Sequence, residues 1–400
     1  MPIIRDDRFE TSGWHEEFPF SLRRPFFDAT VLEFLHALSR AVLQDADARR
    51  FPDLVTFGYA CRKSGLHALA QHYGNAATRT GWGTVVHITP SNIPVNFAFS
   101  LLFGLLSGNS NIVRMPSKTY PQNEIFLRLF DELIQEERFR TFATSIVFVQ
   151  TGRDSSRLKE IIAAADGLIV WGGNATVAEF RSLPKKPRCV ELYFPDRASS
   201  AIIDAAAYLA LPEEARTTLA RNFYNDTYLV DQNACSSPGL VFWLGKPSTI
   251  EEARKTFWPV LQEELVRQDY QLDTVARLDK LIDLMGSMQV TGIPIAVKRH
   301  SNDIWITDRS SPKEARLRFG MFAEIDILDL KEVAAFLRPQ EQTLTYSGAD
   351  PHSILAALQH DTTSMVDRIV PIGKALDINP FWDGKDILSL MSRRIDIVAA

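Results

Sequence analysis

An α/β fold of two domains is the expectation for this chain, and three observations carry it. At 400 residues it exceeds what one ordinary core accommodates. From Gly83 to Phe194, short β-branched and aromatic runs alternate with stretches that are apolar at helical spacing. That alternation predicts a parallel sheet covered on both faces by helices. Beyond about residue 195 it gives way to longer and more charged stretches. The predicted division is 1–195, with 372–400 packing back on the body, and a second domain over 196–371.

Taken in order, residues 1–80 read as an N-terminal extension with a helix from about Thr30 to Leu43. His36, His67 and His72 lie in or near such helices and form no ligand pattern, so they read as structural. GTVVHI is a short buried strand, TPSNIP a turn and VNFAFSLLFGLL a helix that stops at Gly108-Asn109. NIVRM, SIVFV, GLIVW and RCVELYF read as strands. Pro121 to Glu137, SSRLKEIIAAA and ATVAEFRSL read as the helices between them. Ligands on such sheets sit in the turns at the carboxyl ends of strands, here TPSN, MPSKT, QTGRD and WGGN.

In the second domain, ASSAIIDAAAYLA and a helix from Glu213 to Tyr224 lead into YLVDQNACSSPGLVF, residues 228–242. That stretch reads as an apolar strand, a polar turn bearing Cys235, and a second apolar run. A single charged helical stretch is expected from Thr249 to about Met288. Strands in RLRFGMFAEIDILDL and helices near 331–337 and 352–360 follow.

Bulk composition narrows the function classes. Apolar residues make up 46% and charged residues 23%, ordinary values for a soluble globular enzyme. Net charge is −5 and basic residues are scattered, so nothing suggests a nucleic-acid footprint. No Asp, Glu, Lys or Arg lies between Arg79 and Arg114, yet the greasy run Phe97 to Leu106 is far short of the ~20 residues that span a bilayer. It reads as a buried helix. Phe97, Phe99 and Phe103 on it read as core. Cys61, Cys189 and Cys235 are three, without paired spacing, which argues against disulfides and zinc. MPIIRDDRFE lacks the order of a signal peptide, so a cytoplasmic protein is expected.

GxGxxG, Walker A, GxSxG and HExxH motifs are all absent. What remains is Cys235. On a turn of polar and turn-forming residues its thiol is accessible, and an accessible thiol of lowered pKa is a nucleophile. The alternative is inert packing, the usual fate of a free cysteine.

The ordered series TPSNIP, GNSNIVRMPS, DGLIVWGG, VELYF and DQNAC resembles the aldehyde dehydrogenase superfamily. VVHITPSNIPVNFAFSLLFGLLSGNSNIVRMPS, DQNACSSPGLVF and RIVPIG…FWDGKDIL are most similar to its LuxC-type acyl-CoA reductase branch, which makes fatty aldehydes for bacterial luminescence. The likeness covers about residues 80–400. It implies an aldehyde-dehydrogenase-like fold, with an NAD(P)-binding domain first and a catalytic-cysteine domain second.

The resemblance implies that Cys235 is the nucleophile and that Asn92 donates its side-chain N–H to the oxyanion. Asn92 is otherwise a turn or helix-cap residue. Glu191 takes the place of the general-base glutamate, although Tyr193 and Phe194 replace the two glycines that follow it in the family. Thr89, Pro90, Arg114, Ser117, Gly172 and Gly173 are the implied cofactor residues. Arg114 stands where a lysine reaches the adenine-side ribose, and a guanidinium suits a 2′-phosphate. NADPH is therefore the expected cofactor, with NADH the alternative; a surface arginine at a strand end is the plainer reading of Arg114. Leu317 stands where the family's second glutamate would be. The implied substrate is a fatty acyl thioester, acyl-CoA or acyl-protein, with an acyl-activating synthetase partner and a homo-oligomeric state. Two other classes stay open: a cysteine-dependent acyltransferase or thioesterase without hydride transfer, and a non-catalytic scaffold subunit.

Overall fold

The computed structural model describes residues 4–5, 22–74, 76–115, 118–291, 295–308, 317–360 and 365–398. The chain divides into two compact units, 1–195 with 378–400 and 196–377.

The first unit is built on strands β1 (Ile4–Arg5), β2 (Arg79–Gly81), β3 (Thr84–Ile88), β4 (Ser110–Arg114), β5 (Ile146–Gln150), β6 (Gly167–Trp171) and β7 (Val190–Phe194). Six of them form a parallel sheet in the order β1-β5-β4-β3-β6-β7. β2 pairs instead with Ser392–Arg394 of the returning tail. All residues of β3 and β4 are buried, the pattern of strands covered on both faces. The helix Asn96–Leu106 is buried from Phe97 onward, so its all-round apolar sequence finds protein on every side. Helices start where local chemistry allows it. Asp28 accepts from the N–H groups of Thr30 and Val31, Ser155 accepts from Leu158, and Pro121 opens Pro121–Ile134.

Residues 22–80 are more than an extension. The helix Ala29–Gln44 sends Phe34 into the main core, where its ring lies 4.5 Å from Phe142 and 5.4 Å from Phe130.

The second unit carries β8 (Ala198–Asp204), β9 (Pro238–Leu244), β10 (Val297–Arg299), β11 (Trp305–Asp308), β12 (Met321–Ile327), β13 (Glu341–Ser347) and β14 (Arg368–Pro371). Their order is β10-β11-β12-β9-β8-β13-β14, parallel except for β10 with β11. Trp243, Trp258, Phe223 and Phe257 fill the core on one face.

Two expectations are corrected here. Tyr228–Val230 is not a strand but a single 3-10 turn ending the helix Glu213–Thr227. Two of its carbonyls are already engaged, Tyr228 by the Asp231 N–H and Val230 by the Asn233 N–H, so they are not available to a sheet. The charged stretch after Thr249 is two helices, Pro247–Arg267 and Thr274–Thr291. Asp269 breaks it at φ 49°, the left-handed residue that closes a helix. Strands β10, β11 and β13 had no clear counterpart in the sequence reading.

Candidate active site

In the first sheet the chain builds β4 and β5 on one side of β3, then crosses to build β6 and β7 on the other. Connections therefore diverge between β3 and β6, and the carboxyl ends of these strands frame the crevice where doubly wound sheets bind ligands. Thr89 and Pro90 follow β3, and Gly172 and Gly173 follow β6. The Thr89 hydroxyl donates to the Arg114 carbonyl at 2.7 Å, joining β3 to the last residue of β4. Arg114 is itself buried, and its Nε donates to the Thr151 carbonyl at 3.1 Å. Gly172 donates its N–H to Phe194 O, and Gly173 caps the nine-residue helix Asn174–Ser182. Asn92 is exposed on the loop between β3 and the helix Asn96–Leu106. It does not cap that helix, whose N-cap is Val95. Ser117 lies outside the described residues.

His87, next to this loop, is a structural histidine. Asn111 Oδ1 can only accept, so the 2.9 Å contact makes Nε2 the protonated nitrogen. Nδ1 then accepts from the Ser100 hydroxyl at 2.8 Å, and Trp171 Nε1 donates to the same oxygen at 2.9 Å. Burial pushes His87 down to about 4, so it is neutral at physiological pH.

Glu191 on β7 is engaged by two neighbours. Lys185 Nζ lies 3.3 Å from its carboxylate and the Tyr193 hydroxyl donates to it. Lys185 also donates to the carbonyls of Phe180, Arg181 and Leu183 at 2.8–3.1 Å, closing the carboxyl end of the preceding helix. Burial, and then the hydrogen bond to Glu191, push the Tyr193 hydroxyl up. A surface cavity of about 710 Å³ is lined by Asn174, Arg181, Glu191, Tyr193 and Lys385.

Cys235 belongs to the second unit, on the turn between Val230 and β9. Asp231 and Gln232 lead into it with φ of 50° and 58°, two successive left-handed residues that need outside support. Gln232 supplies it. Its side chain is buried, accepts from the Gly320 N–H at 2.9 Å and donates to the carbonyls of Pro238 and Met321 at 2.9 and 3.3 Å. The Asp231 carboxylate accepts from the Tyr270 hydroxyl at 2.8 Å, so it is directed to that ring.

Two β-bulges sit beside Cys235. Glu341 and Thr343 face consecutive residues of β8, so Gln342 is the extra residue; Gly239 is the extra residue where β9 meets β8. A Cβ at Gly239 would come within 2.7 Å of the Leu317 Cβ, which leaves room for glycine only. The Gln342 Nε2 lies 3.5 Å from the Cys235 sulfur. The Ser199 hydroxyl donates to the Cys235 carbonyl at 2.7 Å and accepts from the Thr343 N–H at 3.1 Å. Arg368, opposite Thr343 in the β13–β14 pairing, exerts its charge on Cys235. Its guanidinium is held by the carbonyls of Lys374, Ala375 and Asp377 at 2.9–3.0 Å. Sequence reasoning missed Ser199, Gln342 and Arg368. Gln342 is 107 residues from Cys235, and nothing in the sequence marks its bulge.

The other two thiols contrast with this setting. Cys61 is fully buried and pushed well up by burial; Cys189 is half-buried and pushed up to about 11. None of the three is in a disulfide. Among the described residues no cluster suited to a metal ion occurs, and no helix is long and apolar enough to cross a membrane.

Comparison with known proteins adds three findings. The family model described as acyl-CoA reductase (LuxC) matches residues 67–272. A long-chain acyl-protein thioester reductase of Photorhabdus luminescens is 25% identical over 200 residues, covering 46% of this chain and 40% of that protein. One from Vibrio harveyi is 25% identical over 165 residues, covering 41% and 32%. The chain thus matches less than half the length of these relatives. Among solved structures, AldH of Staphylococcus aureus in a substrate-bound state aligns with a TM-score of 0.57 at 14% identity, over 91% of this chain and 88% of that one. Aldehyde dehydrogenase 21 of Physcomitrella patens, in complex with succinate, aligns with a TM-score of 0.62 at 12% identity, over 91% and 83%. These likenesses establish an aldehyde-dehydrogenase-like α/β fold.

Proposed function

This chain belongs to the acyl-CoA reductase (LuxC) family, and on that premise we propose that it reduces a fatty acyl thioester, acyl-CoA or acyl-protein, to the aldehyde with a nicotinamide cofactor. The observation that carries the reading is Cys235, whose carbonyl is held by Ser199 on β8 and whose sulfur faces Gln342 at the bulge of β13.

In the proposed reaction the Cys235 thiolate attacks the thioester carbonyl carbon. A bond to Cys235 sulfur forms, the bond to the donor sulfur breaks, and the donor leaves with the electron pair and takes up a proton. Asn92 and the Cys235 N–H carry the negative charge on the oxygen. A reduced nicotinamide, NADPH by the Arg114 argument, would be held by Thr89, Pro90, Arg114, Ser117, Gly172 and Gly173 and would supply the hydride that takes the acyl group to the aldehyde level. Aldehyde release returns Cys235 to the thiolate. Glu191 takes the place of the family's general base, but a hydrolytic base is of little use here, because water attack on the acyl-enzyme wastes the acyl group.

The residues at the carboxyl ends of the first sheet suit such a cofactor. A Cβ at Gly172 would come within 3.1 Å of the Thr176 side chain, so a side chain there would crowd the first turn of the helix Asn174–Ser182. The Thr151 hydroxyl is buried without a hydrogen-bond partner among the described residues, beside Arg114. Thr89, Pro90, Arg114, Ser117, Gly172 and Gly173 are assigned to this role.

A second reading, acyl transfer or hydrolysis through Cys235 without reduction, draws on Leu317 in place of an acidic residue. One experiment separates the two. The purified chain is incubated with radiolabelled long-chain acyl-CoA, with and without NADPH, beside a Cys235→Ser variant. Label on the wild-type protein only, discharged as aldehyde by NADPH, supports the reductase. Label discharged only as acid or transferred ester supports the second reading, and undiminished label on the variant removes both. Self-association and an acyl-activating synthetase as supplier complete the proposal, and sedimentation of the chain alone and mixed with such a synthetase tests them.

A further inference from the structure

We propose that Gln342 is a catalytic residue that stabilises the Cys235 thiolate through its side-chain N–H, aided by the charge of Arg368, with Ser199 as its positioning partner. This rests on the reading of Cys235 as the nucleophile. His87 is committed to Ser100 and Asn111. A thiol without a base ionises only if its surroundings favour the anion. The bulge provides those surroundings.

A regular strand would alternate Glu341, Gln342 and Thr343 across the sheet. The shift between Glu341 and Thr343 leaves Gln342 unmatched to any residue of β8 and turns its amide to the sulfur at 3.5 Å. Bulges recur beside active sites because they re-aim one side chain without disturbing the rest of a ladder. The cost of the irregular backbone is offset by specific bonds. Gln342 O accepts from the Asp367 N–H at 2.9 Å, and Ser199 joins the Thr343 N–H to the Cys235 carbonyl. Nucleophile and donor are thus registered to one another through a single hydroxyl.

The amide dipole alone is a modest stabiliser, and Arg368 adds a full charge. The charged groups around this arrangement include Arg368 on β14, with Asp226 on the helix Glu213–Thr227 and Asp377 bearing on it; Glu341, buried next to Gln342 and subject to Arg197 and Arg338; and Asp367, paired with Arg197. Three backbone carbonyls fix the guanidinium, so its charge does not wander. An opposite charge and a hydrogen bond to the anion both favour ionisation of a thiol.

The test is the pH dependence of Cys235 alkylation by iodoacetamide in the full chain, read by peptide mass mapping that separates it from Cys61 and Cys189. It needs neither cofactor nor thioester, so its outcome is independent of the reductase reading. Gln342→Met and Arg368→Met are expected to move the midpoint upward by about one pH unit each. Arg368→Lys, which keeps the charge, is expected to recover most of that shift. Gln342→Glu keeps the shape but sets a carboxylate against the sulfur, and is expected to move the midpoint further than Gln342→Met. Where the methionine variants fail to fold, as judged by thermal unfolding, the Glu and Lys variants decide. A midpoint within a few tenths of wild type in the folded variants overturns the proposal. So does an equal shift for Arg368→Lys and Arg368→Met, which would mark a purely structural arginine.

Discussion

At Asp226 burial outweighs two good hydrogen bonds. The N–H groups of Gly373 and Ala375 donate to its two oxygens at 2.6 and 2.9 Å, which favours the carboxylate. Desolvation opposes them and pushes the group up to about 7 from an ordinary 3.8. The folded state therefore holds a proton across that window that the unfolded chain has lost. Its contribution to stability is full below pH 4 and is lost as pH rises through 7. An Asp226→Asn variant lacks this slope. Its unfolding free energy relative to wild type should improve with pH between 4 and 7, at up to about 1.4 kcal/mol per unit. Urea titrations at several pH values check this, and a difference that stays constant would refute it. Asn92 gives a prediction of another kind. If it carries the oxyanion, Asn92→Ala should slow acylation of Cys235 on the order of 10²-fold while leaving iodoacetamide alkylation unchanged. Cys235 was visible in the sequence because polar residues and turn formers flank it. Gln342 and Arg368 were not, because a contact made across a sheet leaves no local spacing to read.

Periodicity foretold the alternating elements of the first sheet from β3 to β7 and faltered in the second unit for definite reasons. β3 to β7 are short apolar runs bounded by turn residues, and each lies where the alternation put it. Tyr228–Val230 is equally apolar, but its groups complete the end of a helix, and pattern alone does not distinguish the two. The break at Asp269 was hidden because the left-handed position is filled by Asp rather than Gly. β13, by contrast, is a buried strand whose alternation is polar, Glu341, Gln342, Thr343 and Thr345, so hydrophobicity gave no sign of it. The bulge at Gly239 makes an element-scale prediction. Gly239→Ala places a methyl group 2.7 Å from the Leu317 Cβ, and the expected loss is about 1–3 kcal/mol in unfolding free energy. Acylation of Cys235 should fall with it, since the same bulge leads out of the cysteine turn. An unchanged Tm would show that β9 shifts freely.

For the whole molecule the cofactor assignment makes the broadest prediction. A ligand that binds only the folded chain stabilises it by mass action, about 2.7 kcal/mol at a concentration of 100 Kd. NADPH should raise the thermal midpoint more than NADH at equal concentration, and Arg114→Gln should remove the difference. Equal shifts in wild type would set the NADPH preference aside. The fold class was already determined by the sequence, because strand and helix periods are local properties that few residues establish. Cys235, the proposed nucleophile, was also picked out there, because its motif is contiguous. Only the tertiary structure decided what surrounds that sulfur. Two bulges, one shared serine hydroxyl and an arginine on the outermost strand of the second sheet meet there. Their register depends on hydrogen bonds between segments more than a hundred residues apart, which no local pattern encodes.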